Sequence, residues 1–263
     1  MKASRLLPAA LAGLAIASHA GAAPLSQNFE AGEDTSNWGA GWTGGAIEPA
    51  FLAPAAGGAN SGGGASDTQS FSRSFKNNTA GLDLTSAYRI SLDLQVDLFH
   101  GPSGGQFQIL DGDFGSGNAA NLRVFTQDNG GGNFTFHWQA RDNLTGWQDL
   151  GLGLDLSNPY RVELTIDPET FTYAAAVHAL DGSGNVLNSG SLTGLAFDQN
   201  VINNGQNGNL NFYIQASAGG TGVRVDNINI QTVPEPATAA PFATAALILA
   251  LRRWIDRDPS PLP

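Results

Sequence analysis

Tyr88-Arg89-Ile90-Ser91-Leu92-Asp93-Leu94-Gln95-Val96-Asp97-Leu98 alternates without a break, apolar at every even position and polar or charged at every odd one. A period of two sends successive side chains to opposite faces of an extended chain, so the stretch reads as a long β-strand with one buried and one wet face. The same rhythm recurs in Phe134-Phe136-Trp138-Ala140, Tyr160-Val162-Leu164-Ile166, Phe171-Tyr173-Ala175-Val177 and Leu210-Phe212-Ile214-Ala216. Turn-forming clusters separate these runs: Asp128-Asn129-Gly130-Gly131-Gly132-Asn133, Asp167-Pro168-Glu169-Thr170 and Asp181-Gly182-Ser183-Gly184-Asn185. Residues 160–166 and 171–180, joined by the Asp-Pro turn, predict an antiparallel hairpin. No stretch between residues 23 and 232 carries a helical period. About ten half-buried strands joined by polar turns predict an all-β, antiparallel two-sheet β-sandwich of jelly-roll type, with a β-helix or a barrel as alternatives. No internal repeat of solenoid length supports the β-helix.

Both ends depart from this pattern. Met1-Lys2-Ala3-Ser4-Arg5 is basic, Leu6 to Ala17 is mostly apolar, and small residues follow, with Ala20-Gly21-Ala22 as the expected cleavage site. This is the layout of a secretory signal peptide, here residues 1–22, and it predicts export through the Sec route. At the other end Val233-Pro234-Glu235-Pro236 precedes an apolar run from Ala237 to Leu251, broken by Pro241, and then Arg252-Arg253. The run is short of the roughly 20 residues that span a bilayer core, which predicts a short hydrophobic helix acting as a temporary membrane anchor. The arginines after it place the C-terminus on the cytoplasmic side. The chain thus divides into a signal peptide at 1–22, one sandwich domain at 23–232, and a C-terminal signal at 233–263.

The order of Val233, Pro234, Glu235, Pro236, the apolar run, Arg252 and Arg253 resembles the PEP-CTERM sorting signal of Gram-negative bacteria. The resemblance implies that exosortase, a membrane protease-transferase, recognises the Pro-Glu-Pro segment and processes the chain near it. It implies transient inner-membrane insertion and delivery to the cell surface or an extracellular, exopolysaccharide-rich biofilm matrix. It covers residues 233–253 and says nothing of the domain before them. The internal Pro241 and the extension from Asp256 to Pro263 depart from the family's pattern.

Composition bounds the function. Without Lys2, Arg5, Arg252, Arg253 and Arg257, the 12 basic residues fall to 7; without Asp256 and Asp258, the 23 acidic ones fall to 21, a formal charge near −14 for the exported part. Such a surface repels phosphate backbones, so no nucleic-acid partner is expected. The absence of cysteine excludes thiolate zinc, cysteine-held iron–sulfur clusters and thiol redox chemistry. Of four histidines, His19 leaves with the signal, and His100, His137 and His178 are scattered.

Candidate sites are few. In Val223-Arg224-Val225-Asp226-Asn227-Ile228-Asn229-Ile230 the apolar positions run 223, 225, then 228, 230, a slip of one residue that predicts a β-bulge. Together with Asn28-Phe29-Glu30 near the first strand, this resembles carbohydrate-binding jelly-roll modules, just as the rhythm from Tyr160 to Asn185 resembles concanavalin A-like and laminin-G-like domains. The first resemblance implies a structural Ca²⁺ held by Glu30, Asp226 and backbone carbonyls, against the plainer reading of two solvated carboxylates. Asp111-Gly112-Asp113-Phe114-Gly115 is not an EF-hand: Leu122 stands where a bidentate Glu is required and Ser116 where Gly is, so a polar turn is expected. Gly57 to Ser66 is expected to be a low-complexity loop. Trp138 shares a face with Phe134 and Phe136 and is expected in the core. Trp42 and Trp147, in Gly-rich or polar surroundings, are candidates for stacking on a sugar ring, with burial beside a loop as the alternative. The Glu-x-Asp-x-x-Glu pattern of β-sandwich glycosidases, a Gly-x-Ser-x-Gly elbow and a phosphate loop are all missing. The chain is therefore read as a non-enzymatic surface or matrix protein that binds glycan, the alternative being a polysaccharide hydrolase or lyase on the same fold.

Overall fold

The stretch from Tyr88 forms a strand of 12 residues in which Tyr88, Ile90, Leu92, Leu94 and Val96 are all at most 1% exposed, while Asp93 and Gln95 on the opposite face are buried as well and the phase ends with Leu98 half-buried and Phe99 buried. In the computed structural model, residues 25–30, 46–52, 58–64, 86–99, 106–113, 117–198, 212–217 and 221–233 are described. They form thirteen strands and no helix: β1 (Leu25–Gln27), β2 (Ala46–Pro49), β3 (Asn60–Gly64), β4 (Tyr88–Phe99), β5 (Gln106–Asp113), β6 (Gly117–Asp128), β7 (Phe134–Asp142), β8 (Gly146–Gly153), β9 (Tyr160–Asp167), β10 (Thr172–Leu180), β11 (Val186–Ala196), β12 (Phe212–Ser217) and β13 (Thr221–Thr232). No described helix is long and apolar enough to cross a membrane. The expected signal peptide, and the sorting signal and short hydrophobic helix expected beyond Val233, lie outside the described residues.

Two antiparallel sheets result. The larger runs β11-β10-β9-β4-β13-β3-β2, with β1 also paired to β13, and the smaller runs β12-β5-β6-β7-β8. β3 holds one part of β13 through Val223↔Gly64 to Val225↔Gly62, and β1 holds another through Leu25↔Ile230 to Gln27↔Ile228. The slip sits between these two attachments: register shifts between Asp226 and Asn229, and Asn227 takes a φ of 49°. Asn tolerates that left-handed backbone better than a β-branched residue would.

Apolar residues of both sheets meet between them. Val162, Leu164, Ile166, Val177, Val225, Ile228 and Ile230 come from the larger sheet, and Leu122, Val124, Trp138, Ala140, Leu150 and Leu152 from the smaller. Trp138 is fully buried, its ring 5.3 Å from that of Tyr160 across the interface. Burying a side chain of this size is worth about 1.5–3 kcal/mol, so the alternating runs are the main source of stability.

Two polar devices join the sheets at one end. The β6–β7 ladder stops at Leu122↔Ala140, and at the next position the Tyr173 hydroxyl, coming from β10, stands in for a rung. It accepts the Asn121 N–H at 3.5 Å and gives its proton to the carbonyl of Asn121 at 3.1 Å or of Arg141 at 2.5 Å. Burial pushes this phenol's pKa well up, so it stays protonated. Nearby, Asp142 accepts the N–H groups of Leu144 and, on β11, Ala196, together with the Thr145 hydroxyl and the Gln148 amide. Burial alone would raise its pKa, but these donors outweigh that and hold it below the ordinary carboxylate value.

Two expectations need correction, and a third is met. Gly57 to Ser66 is not simply a loop, because Asn60–Gly64 is a strand. Its glycines fit a place where side chains cannot go: a Cβ at Gly62 would enter the ring of Phe29, which turns in at a φ of 60°, and one at Gly63 would strike the Val223 carbonyl. Asp111-Gly112-Asp113 belongs to β5, paired with residues 117–120, rather than to a turn; the connection at 114–116 lies outside the described residues. Pairing satisfies the backbone here whatever the side chains prefer. The 160–166 and 171–180 hairpin forms as β9 and β10, with Asp167 accepting the N–H groups of Glu169 and Thr170 to close the turn.

Candidate functional site

With Leu122, Val124, Trp138, Ala140, Leu150 and Leu152 turned inward, the pleat sends Arg123, Phe125, His137, Gln139, Arg141, Trp147 and Asp149 to the outer face of the smaller sheet. Register sets their neighbours: Arg123 opposite Gln139, Gln139 opposite Asp149, Phe125 opposite His137, and Arg141 opposite Trp147. Gln139 Oε1 accepts from Arg123 Nε at 3.1 Å and from Nη2 at 2.9 Å. That grip aims the guanidinium across β7, where it lies 3.8 Å from the centre of the half-buried Trp147 ring, with Phe125 5.0 Å away. Arg141 is 6.0 Å from the same indole. A cation over an aromatic face is worth about 0.5–2 kcal/mol, enough to order the group but not to neutralise it.

The electrostatics of this face are unusual for the chain. Five arginines are described. Arg89 pairs with Glu163 at 3.9 Å, Arg161 with Asp93 at 2.8 Å and Arg224 with Asp97 at 2.6 Å. Arg123 and Arg141 have no carboxylate partner among the described residues. Asp149, the carboxylate on this part of the face, lies 3.3 Å from His137 Nδ1. Partial burial lowers the Arg123 pKa, and the charge of Arg141 lowers it further. Two cations in a chain of net charge −11 are thus held together on one face, backed by aromatic rings.

The larger sheet carries a polar hollow of about 330 Å³ lined by Ser91, Leu92, Asp93, Arg161, Glu163 and Asn227. Its charges are matched internally. Asp93, 1% exposed, takes two bonds from Arg161 and one from Asn227 Nδ2 at 2.9 Å. This pair also holds the Arg161 pKa up.

Glu30 and Asp226 each neighbour β3 of that sheet. Glu30 Oε1 accepts the N–H groups of Ala59 and Asn60, each at 2.7 Å, at the start of β3, and Asp226 sits on the bulge of β13, the strand β3 pairs with. Asp226 Oδ1 accepts the Asn227 N–H at 2.8 Å. Among the described residues no three carboxylate or imidazole groups gather as a metal cluster. Each of the two carboxylates has one oxygen engaged by backbone N–H groups, and the Ca²⁺ expected here would take further oxygens from backbone carbonyls. Of the other candidates, Trp147 stands on the outer face of the smaller sheet. Trp42 lies outside the described residues, as do Pro234, Glu235, Pro236, Arg252 and Arg253. Val233 is described and donates its N–H to Ala87 at 2.8 Å.

Arg123, Arg141, Gln139 and Phe125 were not singled out from the sequence. The alternation of Phe134 to Ala140 already assigns Gln139 and Arg141 to the wet face. The signal for Arg123 was weaker, because Asn118 to Asp128 lacks a clean period of two.

No family model matches the chain, and no curated protein sequence matches it. Solved structures to which it is similar include peanut lectin with a nine-residue peptide, at 9% identity and a TM-score of 0.47, covering 81% of this chain and 98% of that one. Another is the CBM2 module of the evolved Dit protein of Lactobacillus casei BL23 phage J-1, at 12% identity and 0.38, covering 74% and 93%. A third is an alginate lyase from Pseudomonas aeruginosa, at 14% identity and 0.34, covering 64% and 74%. The strand pairings define the class of this domain: an all-β, antiparallel two-sheet sandwich.

Proposed function

We propose that this is an exported surface or matrix protein, sorted by its Pro-Glu-Pro tail, whose sandwich binds glycan without catalysis through the outer face of the smaller sheet. One observation carries the binding reading: Trp147 is half-buried on that face with planar hydrogen-bonding groups, Arg123, Gln139 and Arg141, ordered around it. Aromatic planes that meet the apolar face of a ring, with a few fixed polar groups, are what a saccharide site needs. Two-carboxylate hydrolysis needs a second acid beside the first, and Asp149 is the one carboxylate among the outward residues Arg123, Phe125, His137, Gln139, Arg141, Trp147 and Asp149. That supports binding over cleavage.

The test is a glycan panel probed with the wild-type protein and Trp147→Ala, run beside reducing-end and unsaturated-product assays on the same polysaccharides. Binding that weakens in the variant, without product release, is expected. Product release abolished by substitution on this face would replace the reading with an enzyme. The sorting proposal is tested separately by the C-terminal peptide mass in the native host with and without exosortase; a cut near Pro234 only when exosortase is present is expected. Calcium at Glu30 and Asp226 is part of the same reading, tested by calorimetric titration of CaCl₂ into wild type and Asp226→Asn; heat lost in the variant is the expected result.

A further inference from the structure

We propose that the saccharide recognised by this face is acidic, a polyuronate whose carboxylate is clasped by Arg123 and Arg141 while its ring lies against Trp147. The inference rests on the glycan reading above and adds the chemical class. The other three described arginines each have a carboxylate within 4 Å, whereas these two have none among the described residues and lie 3.8 Å and 6.0 Å from the centre of one indole. Arg123 spends Nε and Nη2 on a neutral amide oxygen, which orients the fork without cancelling its charge. None of the Arg141 guanidinium N–H groups makes a hydrogen bond among the described residues, although the Arg141 backbone carbonyl is fixed by the Tyr173 hydroxyl.

Like charges held together in a partly dry place repel: burial first, and then the charge of Arg141, lowers the Arg123 pKa. An incoming anion relieves that repulsion, and a planar carboxylate matches a guanidinium fork with two parallel hydrogen bonds. A small free anion would meet only the guanidinium forks; a uronate residue also sets its ring against the part of the half-buried Trp147 indole that Arg123 does not cover. Nucleic acid fits less well, because its affinity comes from many phosphate contacts spread along a basic surface. Here two cations stand on a chain of net charge −11. The same net charge repels any polyanion not held by this local pair, which sharpens selectivity.

The experiment is calorimetry with the purified full chain and four probes: a short oligogalacturonate, its methyl ester, dextran sulfate and a single-stranded oligonucleotide. Wild type, Arg141→Gln, Arg141→Lys and the Arg123→Gln/Arg141→Gln pair are compared, each checked for fold by circular dichroism. The oligouronate is expected to bind, its methyl ester to bind far more weakly, and Arg141→Gln to weaken the acid by about tenfold or more, with Arg141→Lys recovering only part because it keeps the charge but not the fork. Equal binding of acid and ester would overturn the acidic class while leaving the glycan reading standing. Failure of every saccharide would remove both. Equal affinity for dextran sulfate or the oligonucleotide, falling with salt in parallel, would reduce the face to simple ion exchange and also overturn the proposal.

Discussion

Replacing Tyr173 by Phe removes one oxygen from a buried junction and changes little else in shape. The lost hydroxyl accepts the Asn121 N–H at 3.5 Å and donates to the carbonyl of Asn121 or Arg141. Tyr173 is 2% exposed, so water cannot readily replace what is lost. The donated bond is worth about 1 kcal/mol, and stranding a buried polar group costs about 1–3 kcal/mol. The accepted bond is already long, which puts the total near the lower end, about 2–3 kcal/mol. For a domain of this size that corresponds to about 5–10 °C in Tm. Urea unfolding followed by tryptophan fluorescence, with circular dichroism as a second probe, measures it. A midpoint unchanged within error would refute the claim that this hydroxyl replaces a ladder rung.

Asp93→Asn keeps the shape of the side chain but breaks the pair with Arg161. Because Arg161 is 37% exposed, the loss is discounted from that of a fully buried pair to about 2 kcal/mol, read from the urea midpoint. Asp142 has a folded pKa below its unfolded one, so its contribution is complete above the ordinary carboxylate value of about 4 and disappears as pH falls through the lowered folded value. Asp142→Asn is therefore expected to unfold more easily at neutral pH and to show a shallower acid limb in a series of Tm measurements. Gly190 is buried on β11 where a Cβ would strike the Leu150 carbonyl and the Leu152 side chain of β8, so Gly190→Ala should cost about 1–3 kcal/mol in the same unfolding assay.

Where side-chain burial decides the structure, the pattern was legible. Tyr88 to Val96 and Tyr160 to Val177 alternate because one face meets the core and the other carries polar groups, and the slip from Val225 to Ile228 is a bulge because the core face must be regained one residue later. Legibility failed where backbone pairing decides instead. β3 is almost all small residues, since Phe29 and the Val223 carbonyl occupy the space that side chains would need. β11 exposes Val186 and Leu187 at a sheet edge, which blurs its period. The site was half legible. Trp147 drew notice as an aromatic among turn residues, whereas Arg123 gains its meaning only from the register that carries it across Gln139 to that ring. That three of the five described arginines meet a carboxylate and two do not is a contrast that only the fold can draw.

β13 has a mechanical consequence. Its last rung pairs Thr232 with Tyr88, and the next residue, Val233, is still bonded to Ala87. A tether attached just beyond would pull this strand along its own length. Its neighbours β4 on one side and β1 and β3 on the other run antiparallel to it, so the load falls on their crosswise hydrogen bonds in shear, many at a time, and not on one rung after another as in peeling. A protein held to a surface by its C-terminus and gripped by polymer on its outer sheet would thus bear tension through its most heavily paired strand.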